Sequence, residues 1–566
     1  MAVAMAAALE RFRTSTRIEH LLEPLRSDGD APGLYFEDGG HTVSYAELER
    51  HVLRVAAKLR LVEKGLADRS LQPLRVALLG YGDSPTYIQL LFAVPLCEYS
   101  LVLLNARWSV NEIARALQTA HVAVLVYEGG LLAPEVADEL LQGGKVQPVC
   151  IPMQYFASLD GSQLLGSEMT SPTRNIQHAR EYNQSEFGVF FTSGTSSEAK
   201  GAILTHENML VQALAKCEVL GYNASTRYLH LAPLYHVGGM NSFLAVVGAR
   251  GVHIVPSARS RSESDQIRAL IHRYDVNTLV VVPAIMFRML GGKQSQDDNH
   301  GRDSVISTSM HTLLFGGNAL DHSLLAATCD AFPHARVYEA FGMTEAASSL
   351  TFTRGHKFGE EYLPGGFAPR HVELGIMDLE TTASEPLSDL HVFPYRLGEI
   401  WTRGPQMFYG YCNQSTKREK DEWFATGDMG FFTADGALVL AGRKKDMIKS
   451  GGENVFAAEV EEVLMRDQEM ILECAVVGVK DARLGEAVCA VLVVASGRDA
   501  ERPTLEMLQE HCTRHGLSRF KVPRYIHFCA SLPRNPNGKV LKRTLIEQLQ
   551  LCQIARTNGG RSTHVS

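Results

Sequence analysis

The chain has 566 residues, 45% hydrophobic and 21% charged, a globular composition whose length predicts two or more domains. Its formal net charge of −8 excludes an overall basic character suited to nucleic acid or to an anionic membrane. The ten cysteines are scattered without a Cys-x-x-Cys pair, which argues against a zinc site or a disulfide framework, and no apolar run reaches transmembrane length.

Residues 1–30 form an N-terminal extension in this interpretation. The chain starts apolar and alanine-rich, and Arg11, Arg13 and Arg17 then alternate with serine and threonine. This composition is typical of a short organelle transit segment. An ordinary first helix or a frayed terminus explains it equally well.

Short apolar runs alternate with helical patterns through most of the chain. This order predicts βαβ units and mostly parallel sheets, whose ligands bind where the strands end. Residues 84–97 are predicted to be a helix, and 291–307 and 354–397 surface loops. The predicted strands are 74–80, 102–105, 120–127, 187–191, 228–232, 251–256, 277–282, 311–315 and 336–339.

The sequence pattern changes near Gly442-Arg443-Lys444-Lys445-Asp446. Beyond it the patterns predict helices at 457–466 and 505–515 and strands at 474–479 and 487–494. We therefore predict an α/β protein with a large N-terminal domain, 31–441, and a small α+β C-terminal domain, 442–555. Residues 556–566 are predicted to be a disordered tail.

One loop stands out after the predicted strand 187–191. Residues 192–201 read Thr-Ser-Gly-Thr-Ser-Ser-Glu-Ala-Lys-Gly. Backbone N–H groups, hydroxyls and one lysine suit a polyphosphate. The loop is not a Walker A motif, because its lysine precedes the second glycine and no serine or threonine follows. Taken alone, the pattern is also typical of an ordinary turn.

Two further segments place a carboxylate after a strand or an aromatic run. Thr344 and Glu345 suit a magnesium ion and its phosphate, and equally suit a helix N-cap with an acidic first turn. Asp428 is predicted to lie in a turn, where its carboxylate accepts hydrogen bonds from ribose hydroxyls or forms an Asx-turn.

Two basic segments complete the set. The stretch 442–454 is basic and then glycine-rich, which suits a phosphate and a close backbone approach, or a solvated turn. Lys539 lies in the turn-rich segment Pro533-Arg-Asn-Pro-Asn-Gly-Lys539, and by itself it is typical of a surface lysine.

The joint order of these five segments resembles the adenylate-forming acyl-CoA synthetase superfamily over nearly the whole chain. The resemblance implies a large α/β domain and a small mobile C-terminal domain. It also implies a reaction in which a carboxylic acid and ATP form an acyl-adenylate and pyrophosphate, and the acyl group then passes to coenzyme A. ATP and Mg²⁺ are the implied cofactors, and coenzyme A is the co-substrate. The cations neutralise charge that develops at the α-phosphate.

The resemblance assigns the ATP-binding residues segment by segment. The phosphates would bind the first loop, the adenine would lie between two further segments, Asp428 would take the ribose hydroxyls, and Arg443 the ribose and phosphate region. The first loop contributes Thr192, Ser193, Gly194, Thr195, Ser196 and Lys200, and the adenine segments contribute Gly316, Gly317, Asn318, Glu339, Ala340, Phe341 and Gly342.

The same resemblance implies the catalytic residues. Thr344 would contact phosphate, Glu345 would bind magnesium, and Lys539 would bridge the carboxylate and the α-phosphate during adenylation. His236 would lie beside the acyl pocket. Lys445 is implied as the hinge about which the small domain rotates between the two half-reactions. Ser450, Gly451, Gly452 and Glu453 would face the pantetheine of coenzyme A.

The phosphate loop departs from the family pattern at two positions. Ser197 and Ala199 stand where the family usually has glycine and proline. Serine restricts φ relative to glycine, and alanine loosens the loop relative to proline. We keep the phosphate-binding role and expect altered closure of this loop.

The identity of the acid depends on two segments, 228–242 and 341–352, which resemble the 2-succinylbenzoate–CoA ligases of plants and algae. This resemblance implies an aromatic keto-diacid substrate, a role in phylloquinone or menaquinone synthesis, and a chloroplast location if the source is a plant or an alga. The cytoplasm and the peroxisome are the alternatives. Polar partners of the second carboxylate are then sought among Ser348, Ser349, Thr351 and Arg288.

Other interpretations stay open at this point. A medium-chain, malonyl or cinnamate-type CoA ligase shares every core motif, and so does an adenylation protein that loads a carrier. A catalytically inactive relative could bind a nucleotide or an acyl group instead. The expected partners are small molecules and not nucleic acid, and the sequence does not specify an oligomeric state.

Overall fold

The computed structural model has the predicted α/β architecture. It describes residues 18, 21, 32–66, 73–132, 148–157, 185–192, 200–291, 305–317, 320, 322–357, 359–360, 365–378, 392–414, 417–419, 421–466, 471–494, 502–534 and 540–557. Most of the predicted extension, residues 193–199, Asn318, Lys539 and the end of the tail lie outside the described residues.

The chain divides into two compact units. The first unit comprises Met1–Glu373 and Arg403–Glu422, and the second comprises Leu374–Thr402 and Trp423–Ser566. The boundary predicted at residues 441 and 442 falls inside the second unit. The extents of the predicted domains therefore stay a prediction, and each unit is described by itself.

The first unit alternates strands and helices, as the sequence predicts. Its helices are α1 (Tyr45–Lys64), α2 (Pro85–Leu96), α3 (Val110–Thr119), α4 (Gln154–Ala157), α5 (His206–Leu220), α6 (Val237–Gly248), α7 (Ser264–Arg273), α8 (Pro283–Met289) and α9 (His322–Ala331). Its strands are β1 (Pro32–Phe36), β2 (Thr42–Ser44), β3 (Arg75–Leu79), β4 (Ser100–Leu104), β5 (Val124–Tyr127), β6 (Val149–Pro152), β7 (Glu186–Phe191), β8 (Gly201–Thr205), β9 (Arg227–Leu229), β10 (Val252–Val255), β11 (Thr278–Val281), β12 (Thr312–Gly316), β13 (Arg336–Met343), β14 (Ser348–Phe352) and β17 (Gly410–Tyr411).

These strands form two sheets that are mostly parallel. One has the order β14-β13-β12-β11-β9-β10-β1-β2, and the other has the order β17-β8-β7-β4-β3-β5-β6. Among the described strands of these two sheets, antiparallel pairs occur only toward the edges, at β1–β2, β13–β14, β7–β8 and β8–β17. The central strand β4 is buried along its whole length, which explains its apolar run Leu101–Leu104.

Local signals fix where the two helices nearest the candidate site begin. Thr205 caps α5 reciprocally with Asn208: each side chain bonds the backbone N–H of the other residue. His236 caps α6 by accepting a hydrogen bond from the N–H of Gly238. Gly239 permits the tight approach at this point, since a Cβ atom there would lie 2.1 Å from the carbonyl oxygen of Pro233.

The second unit contains two antiparallel sheets, one of which gains a parallel edge strand. The order β15-β16-β18-β19 describes the first, and β21-β20-β23-β22 the second, with β24 added parallel to β23. The strands are β15 (Glu373–Met377), β16 (Gly398–Arg403), β18 (Phe424–Phe432), β19 (Leu438–Arg443), β20 (Met447–Ser450), β21 (Glu453–Phe456), β22 (Ile471–Asp481), β23 (Gly485–Val494) and β24 (Tyr525–Phe528), and the helices are α10 (Ala457–Met465), α11 (Leu505–Arg514) and α12 (Lys542–Thr557).

Helices cover both faces of the five-stranded sheet. Val460 of α10 and Leu508 of α11 belong to a core that includes Val476 of β22. Leu545 of α12 belongs to a second core with Val477, the next residue of the same strand. Successive residues of a strand point to opposite faces, so β22 and β23 are apolar on both sides.

Two predictions about local structure are wrong. Asp428 lies inside the nine-residue strand β18 and not in a turn, because Gly427 (φ +73°) forms part of a bulge where the register with β16 shifts. The stretch 354–397 is not entirely loop, since it contains β15 with its buried Ile376. Among the described residues, no helix combines the length and hydrophobicity needed to cross a membrane.

Candidate active site

Glu345 sits in a tight turn directly after β13. The turn spans Thr344–Ala346, and Glu345 is only 8% exposed. The hydroxyl of Tyr411 donates a hydrogen bond to its Oε1 at 2.6 Å. Burial and the neighbouring Glu345 carboxylate raise the pKa of Tyr411, so the phenol keeps its proton and acts as a neutral donor.

Tyr411 also connects Glu345 to the end of the predicted phosphate loop. It lies on β17, which pairs with β8, the strand that follows the loop. The Lys200 ammonium lies 5.2 Å from the centre of the Tyr411 ring. Thr192 N–H donates to the carbonyl of Lys200 at 2.9 Å and closes the neck of the loop. The structure thus brings Lys200 and Glu345 into contact with one tyrosine.

The segments predicted to flank adenine lie side by side. Gly316 at the end of β12 is paired with Ala340 of β13, and both belong to parallel strands ending at one sheet edge. The carboxylate of Glu339 accepts a hydrogen bond from the N–H of Leu320 at 2.9 Å, which holds the chain that follows Gly317. Asn318 lies outside the described residues.

A strained corner follows Glu345. Ala347 (φ +53°) and Ser348 (φ +145°) both have backbone conformations that residues with a Cβ rarely adopt. The corner turns the chain back into β14, where it passes so close to β13 that a Cβ atom on Gly342 would lie 1.8 Å from the Ser348 carbonyl oxygen. Gly342 is therefore required by packing at this position, beside the nucleotide role that the sequence predicts for it.

Helix α5 ties this corner to the segment that begins α6. Gln212 donates from its amide to the carbonyl oxygens of Ala346 and Ser349, at 2.8 and 2.7 Å. One helical turn later, Lys216 donates to the Gly238 carbonyl oxygen and to Ser242 Oγ. His236 lies just before this contact, where it caps α6. Desolvation of its imidazole by the surrounding chain lowers the pKa of His236, and the positive charge of Lys216 lowers it further.

The predicted polar partners of the acid separate into two groups. Ser348, Ser349 and Thr351 are all buried on β14, and the hydroxyls of the two serines lie 3.3 Å apart. Arg288, by contrast, is exposed on α8. We expect an arginine that recognises a substrate to be shielded from water, so the structure favours the hydroxyls over Arg288.

A second cluster lies in the second unit. Asp428 and Arg443 are directly opposite each other on β18 and β19, and Arg443 Nε lies 2.6 Å from Asp428 Oδ1. Asp428 is 7% exposed. The two residues predicted to bind ribose are fifteen positions apart in the sequence. The pairing of β18 with β19 brings them together.

The remaining predicted residues of the second unit occupy a turn and a hairpin. Lys445 is exposed in the short helical turn Lys444–Asp446, and its hinge role stays a prediction. Gly451 (φ +62°) and Gly452 (φ +89°) form the two-residue turn between β20 and β21, with Ser450 opposite Glu453. The hairpin explains both glycines, and its contact with coenzyme A stays a prediction, as does the role of Lys539.

Magnesium suits the residues around Glu345. Within the described parts of the chain, no group of three or more histidine, cysteine, aspartate or glutamate side chains could hold a metal ion. Magnesium in nucleotide enzymes needs no such cage, since it keeps several waters and binds one or two carboxylates together with substrate phosphates. One buried carboxylate beside the hydroxyl of Thr344 fits that requirement.

Sequence reasoning missed three polar residues that organise the site. Tyr411 lies in an aromatic run, 408–411, and only its pairing with β8 brings it to Glu345. Gln212 and Lys216 interrupt the apolar pattern of α5 four residues apart. That spacing places both residues on one face of the helix. A charged residue on an otherwise apolar helix face could have marked Lys216 as a candidate functional residue.

Comparison with known proteins identifies the family. Residues 23–412 match the model of the AMP-binding enzymes, and residues 459–539 match that of their C-terminal domain. The chain belongs to the AMP-binding enzyme family. It is 29% identical to a 2-succinylbenzoate–CoA ligase of Arabidopsis thaliana, described as chloroplastic/peroxisomal, over 83% of this chain and 88% of that protein. It is also 30% identical to an indoleacetate–CoA ligase of Aromatoleum aromaticum, over 88% of this chain and 92% of that protein.

A solved structure supports the same fold. The o-succinylbenzoate CoA synthetase of Bacillus subtilis, in complex with its acyl-adenylate intermediate, superposes with a TM-score of 0.71 at 22% identity. The match covers 99% of both chains.

Proposed function

We propose that this protein is a 2-succinylbenzoate–CoA ligase. In the first half-reaction, a carboxylate oxygen of the acid attacks the α-phosphorus of ATP and pyrophosphate leaves. In the second, the coenzyme A sulfur attacks the acyl carbon, AMP leaves, and the thiol proton is released. The product is 2-succinylbenzoyl-CoA, and we place it in phylloquinone or menaquinone synthesis.

The class of enzyme follows from the family and the relatives. The protein is an acid–CoA ligase that forms an acyl-adenylate, as its family and its relatives indicate. This assignment removes the inactive binding protein from the interpretations that the sequence left open. The changes at Ser197 and Ala199 are then variations within a working phosphate loop.

We assign the nucleotide chemistry to residues that the family resemblance names. In this proposal Thr344 and Glu345 hold magnesium with the phosphates, and the metal supplies compensation for negative charge on the phosphoryl group. Lys200 contributes a cation to the phosphates, and Asp428 accepts hydrogen bonds from the ribose hydroxyls. Lys539 binds the carboxylate and the α-phosphate during adenylation.

One observation carries the choice of acid: the match to a 2-succinylbenzoate–CoA ligase along 83% of this chain. Polar residues near the candidate site also support a diacid. Three buried residues with hydroxyl groups, Ser348, Ser349 and Thr351, follow shortly after Glu345 in the chain. A site for a long alkyl chain has no use for three buried hydroxyls, each of which costs free energy unless it is hydrogen-bonded.

The test is pyrophosphate exchange into ATP, measured with one acid at a time. We expect exchange that depends on 2-succinylbenzoate and exceeds the exchange with malonate, 4-coumarate, indoleacetate and octanoate. The control is the same protein without any acid. Exchange with one of the other acids alone would contradict the substrate assignment and leave the enzyme class intact.

Indoleacetate is the second candidate acid, because one relative at 30% identity acts on it. It is a bicyclic aromatic acid with a single carboxylate, so its only other polar group is the indole N–H, which needs a neutral acceptor and no cation. Equal exchange with both acids would indicate a pocket selected for the aromatic ring only.

We propose a chloroplast location if the source is a plant or an alga. The support is the Arabidopsis relative, described as chloroplastic/peroxisomal. Fusion of residues 1–30 to a fluorescent protein tests the extension directly, and import of the fusion into isolated chloroplasts is the expected result.

A further inference from the structure

Lys216 is a buried lysine without a carboxylate partner. It is 1% exposed in α5, among apolar neighbours such as Met209, Ala213 and Leu220 on the same helix. Lysine is almost never fully buried unless it is paired. Among the described residues, no aspartate or glutamate lies within ion-pairing distance, and the interactions that act on its charge are burial and Cys217.

The hydrogen bonds of Lys216 leave one N–H unused. Nζ donates to the Gly238 carbonyl oxygen at 3.2 Å and to Ser242 Oγ at 2.9 Å. The hydroxyl of Ser242 donates to the same Gly238 carbonyl, so its oxygen is the acceptor for Lys216. An ammonium group carries three N–H bonds. The third therefore has no partner within the described part of the chain.

The position of Lys216 relates it to the reacting centre. Gln212, four residues earlier on the same face of α5, bonds the two carbonyl groups of Ala346 and Ser349 that follow Glu345. Four residues of helix rise by about 6 Å. Lys216 therefore lies about one helical turn from the contact with the Glu345 corner, and it contacts the Gly238 carbonyl at the start of α6, two residues after His236.

We propose that the ammonium group of Lys216, supported by Ser242, binds the second carboxylate of a diacid substrate, the one that does not react. This inference rests on the proposed function and adds to it the residue that selects a diacid. The two carboxyl carbons of 2-succinylbenzoate are separated by six bonds, about 7 Å when extended. That length is comparable to the helical turn between Gln212 and Lys216.

A carboxylate bound here would compensate the positive charge of the buried Lys216 ammonium group. Burial lowers the pKa of Lys216 to about 7, so the free enzyme at neutral pH does not hold the full positive charge. A bound carboxylate restores the charge and takes the unused N–H. The result is a charge-assisted hydrogen bond in a site shielded from water, which is stronger than the same contact at the surface.

The experiment compares two acids that differ only in the second carboxylate: 2-succinylbenzoate and 4-oxo-4-phenylbutanoate, which lacks the ring carboxyl group. In Lys216→Met, kcat/KM for 2-succinylbenzoate should fall roughly 30- to 100-fold, the range for losing one charged hydrogen bond. For 4-oxo-4-phenylbutanoate it should stay within about threefold, because the same principle predicts no lost contact. Lys216→Gln, which keeps a polar group but no charge, should lose the diacid preference likewise.

Two controls separate recognition from folding. Lys58→Met removes another buried lysine of the first unit, whose Nζ donates to the Tyr155 carbonyl oxygen, and it should leave the ratio of the two acids unchanged. Turnover of 4-oxo-4-phenylbutanoate by each Lys216 variant verifies that it is folded. Equilibrium dialysis of each acid in labelled form gives the same comparison without turnover.

The outcomes distinguish this inference from the function on which it rests. If the wild-type protein uses 2-succinylbenzoate and the Lys216 variants keep its diacid preference, or lose both acids equally, the inference is wrong and the function stands. If the wild-type protein uses only acids with one carboxylate, both are wrong. Selective loss of the diacid in both Lys216 variants supports both.

Discussion

Two buried carboxylates, one in each unit, are held by different kinds of partner. Glu345 accepts a hydrogen bond from the neutral hydroxyl of Tyr411 at 2.6 Å. Asp428 faces the guanidinium of Arg443, with Nε 2.6 Å from Oδ1. A neutral donor leaves the carboxylate its full charge, whereas a guanidinium compensates most of it. The first arrangement suits a metal cation and the second suits neutral hydroxyls, so the partner indicates the ligand.

The largest predicted effect comes from removing the uncompensated charge. Glu345→Gln should lower kcat for adenylation by about 10²- to 10³-fold, because a charge positioned at the phosphoryl group is lost. Pyrophosphate exchange measured over a range of Mg²⁺ concentrations checks this. The variant should need far more Mg²⁺ while its KM for the acid stays unchanged. Normal Mg²⁺ dependence would remove Glu345 from the metal site.

Substitution of Asp428, the carboxylate paired with Arg443, should weaken recognition of the ribose of ATP. Asp428→Asn should raise KM for ATP by about 10- to 100-fold, since charged hydrogen bonds to the ribose are weakened and Arg443 loses its counter-charge. The sharper readout is 2′-deoxyATP: the wild-type enzyme should discriminate against it, and the variant should do so less. Undiminished discrimination in Asp428→Asn would contradict the ribose assignment.

A smaller effect should follow when the neutral donor alone is removed. Tyr411→Phe keeps the ring against which Lys200 lies and deletes the hydroxyl that bonds Glu345. Loss of one hydrogen bond predicts about a 3- to 30-fold decrease in kcat/KM for ATP. The decrease should be larger at low Mg²⁺, where orientation of Glu345 matters more. No change at any Mg²⁺ concentration would show that Tyr411 is only a packing residue.

The smallest effect concerns the pH dependence of stability, to which a pair of buried neutral histidines contributes. His230 and His253 are buried, with Nε2 of the first 2.8 Å from Nδ1 of the second. Burial lowers the pKa of both, that of His253 to about 3, so they stay neutral in the folded state and gain protons only on unfolding below about pH 6.5. Stability is therefore fully present above that pH and is lost as the pH falls, by about 2 kcal/mol per histidine between pH 7 and 5.

Chemical denaturation at pH 7 and pH 5 measures this loss. His253→Gln keeps an amide that can hydrogen-bond His230 and removes one titrating group, so its free energy of unfolding should fall by about 2 kcal/mol less than that of the wild type over the same range. An unchanged pH dependence would mean that His253 takes up no proton on unfolding, which would contradict this account.

The architecture was largely predictable from the sequence, because periodicity reports burial directly. The apolar run 74–80 predicted β3, and 84–97 predicted α2, which Ser84 caps. The sequence predicted a turn at Asp428 because Thr-Gly-Asp is typical of turns. The same residues also occur in a bulge inside a strand, and the pattern cannot distinguish the two. That distinction depends on the register between β16 and β18, a tertiary property.

Local sequence patterns predicted the candidate site only where its residues are contiguous, and the resemblance to the family supplied the rest. Thr344 and Glu345 are adjacent in the chain, and the glycine pair 451–452 is typical of a tight turn. Tyr411 lies 66 residues from Glu345, and Lys216 lies 22 residues from Gly238. Only the pairing of β17 with β8 and the packing of α5 against α6 bring these groups together, and no local pattern encodes that proximity.

The most direct measurement is a competition for thioester formation. The wild-type protein receives ATP, Mg²⁺ and limiting coenzyme A with equal concentrations of 2-succinylbenzoate, indoleacetate, malonate and octanoate, and the thioesters are quantified by mass spectrometry. The product ratio reports the ratio of kcat/KM values. We predict that 2-succinylbenzoyl-CoA dominates. Dominance of any other thioester would contradict the proposed substrate.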